Sequence, residues 1–117
     1  MIRFEDGTEI ENIGGIYGTI RSIRGNARDS LEIYFDNIDY ATLASLFVDG
    51  ARFSIVDPSV DIPGEEIVYE KYEYEIAGDI VDKRDGTFVV YMGAKTDMEA
   101  MEEELAETML MLIMGGE

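Results

Sequence analysis

The connections between the strand-like segments of this chain are only a few residues long. Asp6-Gly7 and Lys83 to Gly86 have the residue types of tight hairpin turns, and Gly25 to Asp29 is predicted as a third hairpin loop. Because parallel strands need a crossover of about a dozen residues or more, these strands are predicted to pair antiparallel. With two helices added, the sequence predicts an α+β fold: a mainly antiparallel twisted sheet or roll of about six to seven strands, a short central helix and a long C-terminal helix.

Alternation of apolar and polar residues predicts where the strands lie. In the segment from Ser30 to Asp36, Leu31, Ile33 and Phe35 share one face, which predicts that this face packs into the core. The segment from Glu66 to Asp82 is predicted as one long extended stretch. Its apolar and aromatic residues fall mostly on one face, which indicates a half-buried strand.

The short helix is predicted over residues 39–49. Asp39 is a suitable N-cap, and Gly50 lies where a helix can end in the left-handed conformation. One apolar stripe at helical spacing predicts the face that packs on the sheet; it consists of Tyr40, Leu43, Ala44 and Phe47.

The long helix begins at a capping-box sequence. Thr96 and Glu99 have the spacing at which each side chain bonds the other residue's backbone amide, and acidic residues fill the first turns, as the helix dipole favours. The predicted helix covers about 97–114. We expect a single domain, 1–117, in which residues 1–95 form a β-rich body with the short helix and 96–117 form the C-terminal helix.

The charge of the chain limits its partners. The sequence has 26 acidic and 9 basic residues, a formal net charge of −17. A field of this sign repels nucleic acid and anionic membranes and favours basic partners or cations, so neither nucleic acid nor membrane is expected as a partner. Crowding of carboxylates is also expected to raise some of their pKa values.

The residue types that most enzymes use are scarce. There is no cysteine and no histidine, which removes thiol nucleophiles, imidazole bases and zinc–thiolate sites. The sequence therefore predicts no catalytic, cofactor-binding or metal-binding residue, no cofactor, and a protein that is not an enzyme. A hydrolase that uses two carboxylates is the remaining catalytic alternative, and it needs a pocket with convergent acids.

Two motifs suggest ligand sites, and each has a structural interpretation that we favour. The glycines from Gly14 to Gly18 lack the spacing and following helix of a phosphate loop, so a strand break or bulge is predicted; a second bulge is predicted near Ile23. Asp79, Asp82 and Asp85 lack the spacing of a calcium loop, so they are predicted to stabilise turns.

The apolar segments are too short for targeting or membrane insertion. Met1 to Asp6 has acids where a signal peptide has its apolar region, and the longest apolar run, Met109 to Met114, is far below the roughly 20 residues of a membrane span. We therefore expect the protein to be cytoplasmic when made.

The C-terminal helix is the predicted contact element. A helical stripe runs from Met98 through Met101 and Leu105, and the last turns are apolar nearly all round. Packing on a sheet face explains the first part, whereas the tip predicts a homo-oligomer, or docking to a partner, through about 105–114. The predicted contact residues are Leu105, Met109, Leu110, Leu112, Ile113 and Met114. A second candidate surface is Tyr69, Tyr72 and Tyr74, for which a half-buried strand is the alternative.

The element order resembles that of a known group of proteins. Residues 29–57 give a strand, a short helix ending Leu46-Phe47-Val48-Asp49 and a second strand, and 72–80 with 85–90 give a closing hairpin. Over about half the chain this is similar to small structural proteins of the tail and baseplate gene clusters of phages and prophages of Gram-positive bacteria. The resemblance implies a structural or assembly role, tail proteins as partners and association with the virion. The alternative is an acidic inhibitor or DNA mimic that binds a basic partner.

Overall fold

The computed structural model describes residues 1–115, and the side chains of residues 1–113. Eight strands and two helices follow one another along the chain. They are β1 Ile2–Phe4, β2 Glu9–Ile10, β3 Ile13–Ile23, β4 Asn26–Asp36, α1 Tyr40–Leu46, β5 Phe53–Pro58, β6 Glu66–Glu70, β7 Ile76–Asp82, β8 Thr87–Gly93 and α2 Asp97–Gly115.

The strands form two antiparallel sheets of four strands each. The first has the order β2-β1-β5-β6 and the second the order β3-β4-β8-β7. The predicted α+β class and antiparallel pairing are confirmed, with eight strands in place of six or seven. The difference arises partly at 66–82, which is not one extended stretch: β6 pairs with β5, and residues 71–75 carry the chain to β7 beside β8.

The core lies between the two sheets and beneath α1. Leu31, Ile33 and Phe35 of β4 are buried in it, as their alternation predicts. Rings from three other elements complete its centre: Phe4 packs edge-on against Phe47, with centroids 5.2 Å apart, and further rings surround the pair. Close packing of these large side chains makes this cluster the main source of the body's stability.

α1 is shorter than predicted but begins as expected. The Asp39 carboxylate accepts a hydrogen bond from the Thr42 amide and caps the first turn. Of its predicted packing stripe, Leu43 and Phe47 are buried, whereas Tyr40 is 53% exposed. Gly50 has a φ of 81°, the left-handed conformation expected after the helix. The helix closes one side of the core, so the apolar face between the sheets is covered without α2.

Two predicted details of β3 and β4 are wrong. The hairpin turn is Arg24-Gly25, both with positive φ, and β4 begins directly at Asn26, so Gly25 to Asp29 is not a loop. A two-residue turn of this kind matches the right-handed twist of the strands. The irregularity in pairing lies between Ile13 and Tyr17, at the glycine pair, whereas Ile23 is regularly paired.

The second sheet curls so that its edge strands approach each other across one face. Arg21 of β3 pairs with Asp79 of β7, and the Ile23 side chain lies against Gly78. A Cβ at Gly78 would lie 2.8 Å from the Tyr91 carbonyl oxygen, so only glycine allows this approach. The curl encloses a second, smaller set of buried side chains, and α2 starts at its rim.

Candidate interaction surface

The first turn of α2 has the predicted capping box. The Glu99 amide donates to Thr96 Oγ1 at 3.2 Å, and the Thr96 amide donates to Glu99 Oε1 at 2.9 Å. Two amides that have no helical partner are thereby satisfied. The start of the helix is therefore fixed by local sequence.

A buried arginine joins this first turn to the body. Arg28, on β4, donates two hydrogen bonds to the Glu99 carboxylate, at 2.6 and 3.2 Å, and further bonds to the carbonyls of Ile23 and Ala94. Its side chain is 1% exposed. Gly93 makes room for it, because a Cβ there would lie 2.6 Å from Arg28 Cδ. Sequence reasoning missed Arg28; its only signal is an arginine at a strand position that alternates with the core residues of β4.

Electrostatics favour the anchored state of α2. The guanidinium of Arg28, together with the Thr96 amide, lowers the pKa of Glu99 to about 2. Hydrogen bonds also lower the carboxyl pKa values of Asp6, Asp39, Asp49 and Asp79. These shifts run opposite to the raised values that the net charge predicts, because ion pairs and amide donors act on these groups more strongly than distant acids.

A lysine adds a second connection at the base of the helix. Lys95 Nζ lies 3.2 Å from Glu75 and 2.5 Å from Glu103, and these two carboxylates raise its pKa. Lys95 thus links the segment before β7 to the second turn of α2. Among the described residues, no hydrogen bond or ion pair joins the helix to the body beyond Glu103.

The apolar stripe of α2 is exposed along its whole described length. Met98 is 71% exposed, Met101 68% and Leu105 60%. The interpretation that this part of the stripe covers a sheet face is therefore wrong. The physical reason is that α1 and the second sheet already cover the core.

The tip of α2 is exposed on every side. The exposed fractions lie between 54% and 76% for the large side chains from Met109 to Ile113, which include the predicted contact residues Met109, Leu110, Leu112 and Ile113. At about 100° per residue these five consecutive side chains point in all directions round the helix. The side chain of Met114, the last predicted contact residue, lies outside the described residues.

The three tyrosines of the second candidate surface lie in different surroundings. Tyr69 is half exposed on β6, an edge strand of the first sheet. The Tyr72 ring lies under the Arg52 guanidinium at 4.4 Å, and Tyr74 packs against the core. Of the three, Tyr69 is exposed, whereas Tyr72 and Tyr74 are half-buried.

Several carboxylates of the body are engaged in hydrogen bonds or ion pairs. A groove of about 630 Å³ between β3 and β7 has one acid, Asp79, which is paired with Arg21. Asp82 and Asp85 accept bonds from the amides of Arg84 and Thr87, as predicted for turn residues. In residues 1–115 no group of three acids is placed to hold a metal ion.

No family model, no curated protein and no solved structure matches the chain. Among the described residues, no helix combines the length and the apolar character that crossing a membrane requires.

Proposed function

We propose that this is a non-enzymatic structural or assembly protein that acts by protein–protein contact, with α2 as its contact element. One observation supports this most: a helix whose base is held by the Arg28–Glu99 pair presents eight large apolar side chains that are 54–76% exposed. Soluble monomers rarely expose apolar patches above roughly 300–600 Å² unless the patch is functional.

The size of the patch is sufficient for a specific complex. Eight side chains exposed to this extent present on the order of 1,000 Å², against roughly 800 Å² per partner in a standard interface. At about 25 cal/mol per Å², covering half of it contributes roughly 12 kcal/mol, before the loss of translational and rotational freedom is subtracted. The four methionines among these side chains suit a surface that adapts to its partner.

The setting we propose is the assembly of a phage or prophage tail or baseplate. The resemblance of residues 29–57 to small proteins of those gene clusters supports it, and an exposed helix on a stable body is an arrangement suited to joining larger components. The genes beside this one test the setting. Tail or baseplate genes there support it; their absence removes the setting and leaves the contact function standing.

A photo-crosslinking amino acid at Leu110 tests the contact function in producing cells. The matched control carries the same amino acid at Val60, which is 94% exposed in a loop of the body. A discrete crosslinked product from position 110 and none from position 60 is expected. Equal labelling from both positions, or none from position 110, contradicts the proposal. A nuclease or polymerase in the product supports the inhibitor or DNA-mimic alternative instead.

A further inference from the structure

We propose that the partner of α2 is a protein that presents an apolar groove edged by lysine and arginine, and not a second copy of this chain. This inference rests on the proposed contact function and specifies the chemistry of the partner. Acidic residues lie on both sides of the apolar stripe of α2. Glu102 borders the stripe of Met98, Met101 and Leu105 on one side, and Glu104 borders it on the other.

The charge of the helix is available to a partner. Six acids and no base lie in the described part of α2. Glu99 and Glu103 are bound to Arg28 and Lys95, at the base. The remaining four acids have no ion-pair partner among the described residues; they are Asp97, Glu102, Glu104 and Glu107. An apolar stripe with carboxylates on both edges is complementary to a groove with basic edges.

A second copy of the chain lacks that complementarity. A parallel pair of α2 helices brings the acids of both copies to the same level, with no base on either helix. A fully overlapped antiparallel pair places Glu104 of one copy level with Glu107 of the other. An antiparallel pair that overlaps only at the tips avoids this repulsion, but it covers a length of only roughly 13 Å.

The tip of α2 also favours a groove over a second helix. Leu110 and Met111 lie on sides of the helix that face away from the stripe, and both are exposed. One helix packed along the stripe leaves these two side chains in water. A groove encloses the tip from several sides, so it covers apolar surface that a simple helix pair leaves exposed.

Two synthetic three-heptad peptides test on the full chain whether the stripe of α2 prefers a partner with basic edges. Both have leucine at the a and d positions; one has lysine and the other glutamate at the flanking positions. We expect the lysine peptide to bind about tenfold tighter or more, and its affinity to fall as NaCl rises from about 0.05 M to about 0.5 M. Equal affinity for the two peptides overturns the inference.

Three double variants separate the contribution of the apolar stripe from that of net charge. Leu105→Ser with Leu112→Ser keeps every acid and is expected to weaken the lysine peptide about tenfold or more. Glu102→Gln with Glu104→Gln is expected to weaken it several-fold, while Asp61→Asn with Glu65→Gln, the same charge change in an exposed loop, leaves it unchanged. Undiminished binding by the leucine variant shows attraction by net charge alone and overturns the inference.

Light scattering on the full chain completes the test. We expect a monomer. A dimer that Leu105→Ser with Leu112→Ser converts to monomer makes a second copy the occupant and overturns the basic-partner inference. A specific crosslink from position 110 still supports the contact function in that case, so the two failures are distinguishable.

Discussion

The body and α2 hold their apolar side chains in opposite ways. In the body, large side chains such as Phe35 and Phe53 are fully buried between two sheets, and polar groups lie outside. In α2, polar contacts fix the base through Arg28 and Glu99, and the apolar residues are exposed. Hydrophobicity alone therefore does not place a residue in the core: burial in the body stabilises the fold, whereas the apolar side chains of α2 stay in contact with solvent.

The largest difference in the free energy of unfolding is expected between a side-chain truncation in the body and one on α2. Phe53→Ala removes a ring that is fully buried against Phe4 and Phe47, and it should lower the free energy of unfolding by about 3–5 kcal/mol. Leu112→Ala, at 69% exposure, should change it by less than about 0.5 kcal/mol. Urea unfolding of both variants measures this. A loss above about 1.5 kcal/mol for Leu112→Ala shows that α2 packs on the body.

Removing the Arg28–Glu99 anchor should lower the free energy of unfolding by an intermediate amount. Arg28→Met removes the hydrogen bonds that the buried guanidinium donates to the carbonyls of Ile23 and Ala94 and to the Glu99 carboxylate, and we expect a loss of about 2 kcal/mol in the free energy of unfolding. Hydrogen exchange of the amides at the start of α2 should accelerate, while that of β4 follows only the global loss. Unchanged exchange at the start of α2 means that the capping box alone holds the helix.

Acid should weaken the same anchor. The pKa of Glu99 is about 2 in the folded protein and near 4.5 when the chain unfolds. The unfolded state therefore binds more protons between these values, so stability falls as pH falls from about 4.5 to 2. The paired carboxylates of Asp49 and Asp79 act with the same sign.

Glu99→Gln is the matched variant for the acid effect. It should be less stable than the parent near pH 6, and the difference between them should shrink toward pH 2. Thermal unfolding along a pH series measures both. A difference that stays constant with pH removes the Arg28–Glu99 pair as the cause.

The rate of methionine oxidation compares the exposure of side chains in the two regions and does not depend on a substitution. Hydrogen peroxide should oxidise Met98, Met101, Met109 and Met111 about tenfold faster or more than Met92, which is fully buried in β8. Peptide mass spectrometry gives the rate at each site. If these four methionines are oxidised as slowly as Met92 in a sample that light scattering shows to be monomeric, α2 is not exposed.

Local signals in the sequence predicted the elements, and the parts that depend on distant contacts were missed. Asp39, the Thr96–Glu99 box and the alternation in β4 act within a few residues, so the sequence alone reveals them. The break at residues 71–75 was missed because apolar alternation continues through it, although the two halves join different sheets.

The candidate site also divides into residues that a local pattern reveals and residues that only distant contacts bring together. The apolar residues of α2 were identified from helical spacing, and their assignment as a contact surface stays a prediction. The expectation that Met98 to Leu105 would pack on a sheet was wrong, because it depends on whether another element already covers the core, as α1 does. Arg28 and Gly93 belong together only through the pairing of β4 with β8, which no local pattern indicates.

Small-angle X-ray scattering of the dilute monomer tests most directly whether α2 extends from the body. The Cα radius of gyration is 17.3 Å and the longest dimension is 57 Å, whereas a compact chain of this length has a radius near 13 Å. We predict a radius of about 17–18 Å, with molecular mass from light scattering on the same sample confirming a monomer. A monomer with a radius near 13–14 Å places α2 against the body and contradicts a helix that extends into solvent.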